Sequence, residues 1–166
     1  MTQRDALELL ESEDLIALGM RAHAKRQALH PAEIVTYSFI EAVRVPADDG
    51  AAVRVVFDPQ SPSFDPLEES KDAEAIVPVC VPGTTAAEYL KFLAVCRLYR
   101  NNGHIQLDAD WLGLKVAQVA LRFGANDFGD RKPGSATPEE EIRRVIRDAG
   151  FVPKKRDLLY RVLAVQ

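Results

Sequence analysis

From residue 75 onward, short β-branched runs alternate with longer runs whose apolar residues recur at helical spacing. Such a chain buries both kinds of element only as a parallel sheet covered by helices. Residues 75–81 read as a buried strand, in which Pro78 demands an edge or a bulge. Thr85 and Glu88 form a capping box opening a helix to Arg100, with Leu90, Leu93, Ala94 and Leu98 inward. His104–Ala109 is the next strand, and residues 110–123 a helix ended by Gly124. Residues 125–128 form a strand end. A helix from Thr137, with Pro138 in its first position, runs to Gly150. A last helix over about 154–164 packs Leu158, Leu159, Val162 and Leu163.

The first half differs. Residues 3–30 predict a helical hairpin: Thr2 and Asp5 make a capping box, Ser12 or Glu13 breaks it, and His30-Pro31 stops it. Residues 33–45 and 51–57 read as strands around Asp48-Asp49-Gly50, hence a β-hairpin. Residues 58–74 carry three prolines and six acids against Lys71. That is an acidic loop, either a solvated excursion or a dock for a basic partner. The whole is one domain of 166 residues.

Composition removes several function classes. A net charge of −4 makes nucleic acid a poor partner. No apolar run reaches the roughly 20 residues a membrane span needs. Residues 1–5 lack a signal-peptide pattern, so the expected location is the cytoplasm. Two cysteines, Cys80 and Cys96, make neither a disulfide framework nor a zinc ribbon, and read as buried small hydrophobes. His23 and His30 share a helix but lack further metal ligands. A triad, a phosphate loop and a dinucleotide fingerprint are all missing.

Two blocks carry a resemblance. One runs Thr84–Tyr99, His104-Ile105-Gln106 and Gly113–Gly129, ending Gly124-Ala125-Asn126-Asp127-Phe128-Gly129. The other runs Glu140–Pro153, then Arg156-Asp157-Leu158-Leu159-Tyr160. They closely resemble the C-terminal third of the radical-SAM enzymes of the futalosine route to menaquinone. Dehypoxanthine futalosine cyclase is the nearest match, with aminofutalosine synthase and the deazaflavin-synthesis subunits as relatives. Asp5–Tyr37 resembles the same enzymes' lead-in.

The departures matter as much. The family holds a 4Fe–4S cluster on a Cys-x-x-x-Cys-x-x-Cys loop after the first barrel strand. Here Val35-Thr36-Tyr37 runs into Ser38-Phe39-Ile40-Glu41 instead. Without three thiolates no cluster binds SAM and cleaves it. A full barrel takes about 250 residues. The expected fold is therefore α/β: a partial (half) β/α barrel with parallel strands, an N-terminal helical hairpin and an inserted β-hairpin. Asp108 stands where the family has serine, Ala109 where it has tryptophan, and 130–135 replace a substrate-side segment.

His104, Gln106 and Asp108 alternate on one strand, and Asn126 and Asp127 sit at the next strand end. These five are the candidate site, able to hold a small polar, nucleoside-like ligand or move protons, or else an inherited polar network. The favoured function is non-catalytic, without cofactor or metal: a paralogue in menaquinone biosynthesis that binds an intermediate or a full-length enzyme. A homodimer is expected, because a half barrel exposes strand edges. The alternatives are a small metal-independent enzyme and a relic without a role.

Overall fold

The computed structural model describes residues 1–11, 14–39, 52–131 and 135–164. The helical hairpin opens it. α1 (Gln3–Leu10) starts at a reciprocal capping box: Thr2 Oγ1 accepts from Asp5 N at 3.1 Å, and Asp5 Oδ2 from Thr2 N at 2.8 Å. α2 (Leu15–Leu29) is capped by Asp14, which accepts from Ala17 N at 2.8 Å. Leu18, Gly19, Ala22 and Arg26 form its buried stripe. The break expected at Ser12 or Glu13 lies outside the described residues.

β1 (Ile34–Phe39) and β2 (Ala52–Phe57) form where strands were expected, but they do not pair with each other. β1 lies between β5 (Asp127–Arg131) and β6 (Val152–Lys155) and is parallel to both. β2 pairs in parallel with β3 (Ala75–Cys80), which pairs in parallel with β4 (His104–Ile105). The hairpin expectation is thereby corrected. Alternation marks a strand without naming its neighbour, and here the partners come from distant sequence. The turn at Asp48-Asp49-Gly50 and residues 40–45 lie outside the described residues.

A parallel bridge between Gln106 and Asp127 joins the two three-stranded sheets. Asn126 N donates to Ile105 O at 3.2 Å, and Leu107 N to Asp127 O at 2.9 Å. The strands thus run β2-β3-β4-β5-β1-β6, all parallel. This is a partial β/α fold, with no closed barrel among the described residues. Pro78 fits its strand for a local reason. Ile76 O still accepts from Gln106 N, at 2.9 Å, but β4 ends there. The missing donor of Pro78, two residues on, therefore faces no partner strand.

Strand alternation separates two faces. Val35, Tyr37, Val55, Phe57, Ile76, Ile105 and Leu107 join the apolar core. Helices α2, α4 (Ala86–Tyr99) and α6 (Leu114–Ala120) supply Leu18, Ala22, Leu90, Leu93, Ala117 and Ala120 to it. The other face carries Thr36, Ala75, His104, Gln106 and Asp127. The expected capping box of α4 is present, with Glu88 N donating to Thr85 Oγ1 at 3.2 Å.

Three further expectations change. The acidic stretch 58–74 contains α3 (Asp65–Glu69), and Phe64 and Leu67 are buried, with Phe64 against Phe57, Phe92 and Tyr99. Its two apolar residues outweigh its acids, so it packs instead of looping out. The helix expected over 110–123 is broken: α5 (Ala109–Leu112) stops at Gly113, whose φ of +77° is left-handed, and α6 begins anew. α7 (Glu139–Asp148) is preceded by Pro138 at its N-cap, without a side-chain cap from Thr137.

The last correction concerns the end of the chain. No helix forms over 154–164. β6 takes residues 152–155 into the sheet, and Arg156 N donates to Tyr37 O at 2.8 Å. Those backbone groups are then spent on the sheet instead of a helix. The chain turns at 157–160, and Val162 bridges back antiparallel to Arg156. Leu158, Leu159, Val162 and Leu163 end up exposed.

Candidate functional site

Four of the five candidate residues meet. Asp127 is fully buried where β5 begins, beside Thr36 on β1 and Gln106 after β4. Its Oδ2 accepts from Thr36 Oγ1 at 2.5 Å and from Arg156 Nε. Its Oδ1 accepts from Arg156 Nη2 at 2.7 Å and from Gly129 N at 2.8 Å. The guanidinium thus grips the carboxylate with two parallel bonds, the strongest form of this pairing. Arg156 Nη2 is also 3.0 Å from Asp130 Oδ1.

A bulge brings Asp130 into range. The β1–β5 register shifts between Thr36↔Asp127 and Ser38↔Asp130. Gly129 sits in that gap with a φ of +103°, and a Cβ on it would lie 2.2 Å from Leu107 O. The extra residue turns Asp130 onto the face already holding Asp127.

Gln106 is held on both ends. Its Oε1 accepts from Arg156 Nη2 at 3.2 Å and from the Tyr160 hydroxyl, and its Nε2 donates to Asp130 Oδ2 at 3.2 Å. Asn126 Oδ1 accepts from Arg97 Nη2 at 2.8 Å and Ile105 N at 2.9 Å. Two donors at that oxygen fix the amide, so its Nδ2 faces His104 Nδ1, 2.8 Å away, as a donor. His104 is therefore neutral with its proton on Nε2, towards Glu74 Oε1 at 3.7 Å.

Asp108 is elsewhere. It caps α5, accepting from Trp111 N at 3.1 Å, and pairs with Arg54 Nη1 at 2.9 Å. It makes no hydrogen bond to any of the other four. An aspartate ahead of a short helical turn is a capping signal, and that signal outranked the strand reading.

Sequence reasoning missed the residues that close this cluster, Arg156 and Tyr160. Tyr160 adopts φ +61°, rare for a residue with a side chain. Its ring stacks on His104 at 4.6 Å between centroids, and the Arg156 guanidinium lies 4.1 Å from that ring. The Arg156-x-x-x-Tyr160 spacing inside the recognised block was the available signal. A helix prediction there hid it.

Titration follows burial and charge. Burial lowers the His104 pKa, while Asp127 and Glu74 oppose it. Burial also lowers His30, to about 4, helped by Arg97. Burial pushes the Tyr160 phenol well above its ordinary range. Burial opposes the charge of Arg156, but hydrogen bonds to Asp127 and the charges of Asp127 and Asp130 raise its pKa overall. The cluster thus contains a neutral imidazole, a protonated phenol and an ion pair. Each is engaged by a neighbour, so the arrangement anchors the C-terminal segment more readily than it moves protons.

Residues 69–166 match the family model described as the CofH/MqnC C-terminal region. The chain belongs to that family. Relatives at 41%, 39% and 37% identity come from Methanothermobacter thermautotrophicus, Methanocaldococcus jannaschii and Methanopyrus kandleri. Each is named a 5-amino-6-(D-ribitylamino)uracil–L-tyrosine 4-hydroxyphenyl transferase. The matches cover 50%, 49% and 51% of this chain, but 26%, 26% and 27% of those proteins. The chain spans about a quarter of the length of the curated relatives it matches. The radical-SAM relationship is thereby shown, and the relatives' names do not point to menaquinone.

The iron–sulfur cluster of radical-SAM chemistry does not fit this family member. Cys80 and Cys96 are its only cysteines, buried on β3 and α4. Burial raises the Cys80 thiol to about 12 and pushes Cys96 higher still. A cluster is held by deprotonated thiolates, at least three of them in this family's motif, and this chain has two thiols that burial keeps protonated. Among the described residues, no group of three or more histidine, cysteine or acidic side chains is placed to hold a metal. Among them too, no helix is long and apolar enough to cross a membrane.

Proposed function

We propose that this chain is a non-catalytic member of the CofH/MqnC family that acts by binding a full-length enzyme of the same family. One observation carries the reading: Tyr160 and Arg156 fill the face where His104, Gln106, Asn126 and Asp127 converge, and each of those four side chains is engaged by a neighbour. A nucleoside-like ligand at this cluster would have to displace Tyr160. The names of the relatives favour a uracil–tyrosine transferase as the partner over a futalosine-route enzyme of menaquinone synthesis. A cytoplasmic setting goes with either.

A second association is favoured by the sheet margins. The terminal strands β2 and β6 expose Val53 at 42%, Val56 at 55% and Val152 at 44%. Exposed valines on terminal strands invite pairing, so the chain alone is proposed to be a homodimer.

Light scattering after size exclusion tests both. The chain alone should elute as a dimer, and mixing with a full-length transferase should give a hetero-complex that a futalosine-route cyclase does not. A monomer that joins neither enzyme would overturn the binding reading. Turnover of a ribitylaminouracil by the isolated chain would favour the small-enzyme alternative.

A further inference from the structure

The last segment moves the free edge of the sheet away from β6. Val152 N donates to Glu33 O at 2.7 Å and Arg156 N to Tyr37 O at 2.8 Å, both towards β1. Backbone groups alternate sides along a strand, so those of Pro153 and Lys155 face outwards. Pro153 has no donor, and Lys155 O accepts from Leu163 N at 2.9 Å. Asp157 N donates to Arg161 O at 3.0 Å, and these two bonds flank the antiparallel bridge between Arg156 and Val162. Among the described residues, 161–163 are therefore the outermost strand on this side.

A bridge flanked in this way is the non-hydrogen-bonded kind, in which the backbone groups of each residue point away from the other. Val162 N and Val162 O thus point out of the sheet, and neither meets a partner among the described residues. Val162 is 51% exposed on the face that carries Arg156, and Leu163 is 44% exposed on the face that carries Lys155. This edge is ordered before any partner arrives. Asp157 Oδ1 accepts from Leu159 N and Arg161 N, each at 2.9 Å, and Asp157 Oδ2 from Arg161 Nε at 2.7 Å. Tyr160, between them, is held by Gln106 and stacked on His104. A strand fixed in advance loses little freedom on pairing.

We propose that this edge pairs with the same edge of a second copy, antiparallel, with Val162 on the two-fold axis. Each Val162 then gives its N–H to the other's carbonyl, so the pairing leaves neither group open. Val162 meets Val162 on one face, and Arg161 meets Leu163 twice on the other. No like charges stand directly opposite, because Arg161 faces a leucine and is neutralised by its own Asp157. That self-complementarity selects a second copy over an unrelated strand. The proposal rests on the homodimer reading above and names its contact, which leaves β2 at the other margin unused.

Light scattering of the full chain, together with amide hydrogen exchange at Val162, tests the contact. The chain should pass from monomer to dimer as its concentration rises, and exchange at Val162 N should slow by about tenfold or more over the same range. Val162→Lys should be monomeric throughout, with the parent's melting temperature at dilute concentration, because Val162 N supports no internal bond and its side chain is half exposed. Val162→Ile should dimerise as the parent does, and so should Val56→Lys on β2. A dimer that survives Val162→Lys would overturn this contact and leave the homodimer reading standing. A monomer at every concentration would overturn both. Exchange at Val162 N that ignores concentration, or slows only when a full-length transferase is added, would overturn the contact even if Val162→Lys failed to fold.

Discussion

Arg156 and Asp127 meet inside the protein as a two-pronged pair, with Arg156 Nη2 2.7 Å from Asp127 Oδ1 and Nε bonded to Oδ2. Both side chains are essentially inaccessible, at 1% and 0%. The pair ties the last strand to the middle of the sheet, 29 residues apart in sequence. Thr36, Gly129 and Gln106 take up the remaining donors and acceptors, which is what makes a buried ion pair tolerable.

Breaking that pair from one side should be severe. Arg156→Met leaves the Asp127 carboxylate buried with only Thr36 and Gly129, and should cost about 3–5 kcal/mol in urea unfolding. Adding Asp127→Asn removes the orphaned charge and should recover part of the loss. Equal stability of the single and double variants would contradict this account.

Tyr160 should behave as a plug. Tyr160→Ala removes the ring stacked on His104 and should cost about 3–5 kcal/mol. The vacated space keeps the shape of a phenol with Gln106 at its polar end, so p-cresol should raise the melting temperature of this variant and not of the parent. A variant as stable as the parent would show that the tyrosine merely lies on the surface.

The bulge makes Gly129 irreplaceable. Gly129→Ala adds a Cβ 2.2 Å from Leu107 O at a left-handed φ, and should destabilise by about 1–3 kcal/mol from backbone strain alone. Thermal unfolding reads this directly, and a neutral result would mean the register shift is not held by this residue.

Acid should weaken the fold before its carboxylates titrate. His23, His30 and His104 all have lowered pKa values, chiefly through burial. The unfolded chain takes up these protons near pH 6.5 while the folded chain resists, His30 down to about 4. Their contribution is thus complete above that unfolded value and is lost as pH falls through the interval. Each histidine can add a slope of at most about 1.4 kcal/mol per pH unit. Urea midpoints measured through this interval should fall with pH and flatten in His30→Gln, whereas a pH-independent midpoint would contradict the buried neutral imidazoles.

Local chemistry made much of this fold legible in sequence. Thr2–Asp5 and Thr85–Glu88 box their helices as the spacing implies. The run from Ala75 to Cys80 is a fully buried strand. Pairing was not legible, because β1 finds β5 and β6 across 88 residues or more. In the tail, Leu158, Leu159, Val162 and Leu163 imitate a helical stripe, yet all are exposed. Their backbone follows β6 and its return, a tertiary effect that periodicity cannot register. The site was half legible for the same reason: alternation placed His104 and Gln106 together, while Arg156 and Tyr160 reach it only through that fold-back.

The central claim is that the residues of this chain do not fit an iron–sulfur cluster, since its two thiols, Cys80 and Cys96, are both buried. Anaerobic reconstitution with iron and sulfide, followed by electron paramagnetic resonance of the dithionite-reduced sample with SAM, tests it most directly. The account predicts no cluster signal and no 5′-deoxyadenosine. A 4Fe–4S spectrum that shifts on adding SAM, with 5′-deoxyadenosine formed, would contradict it.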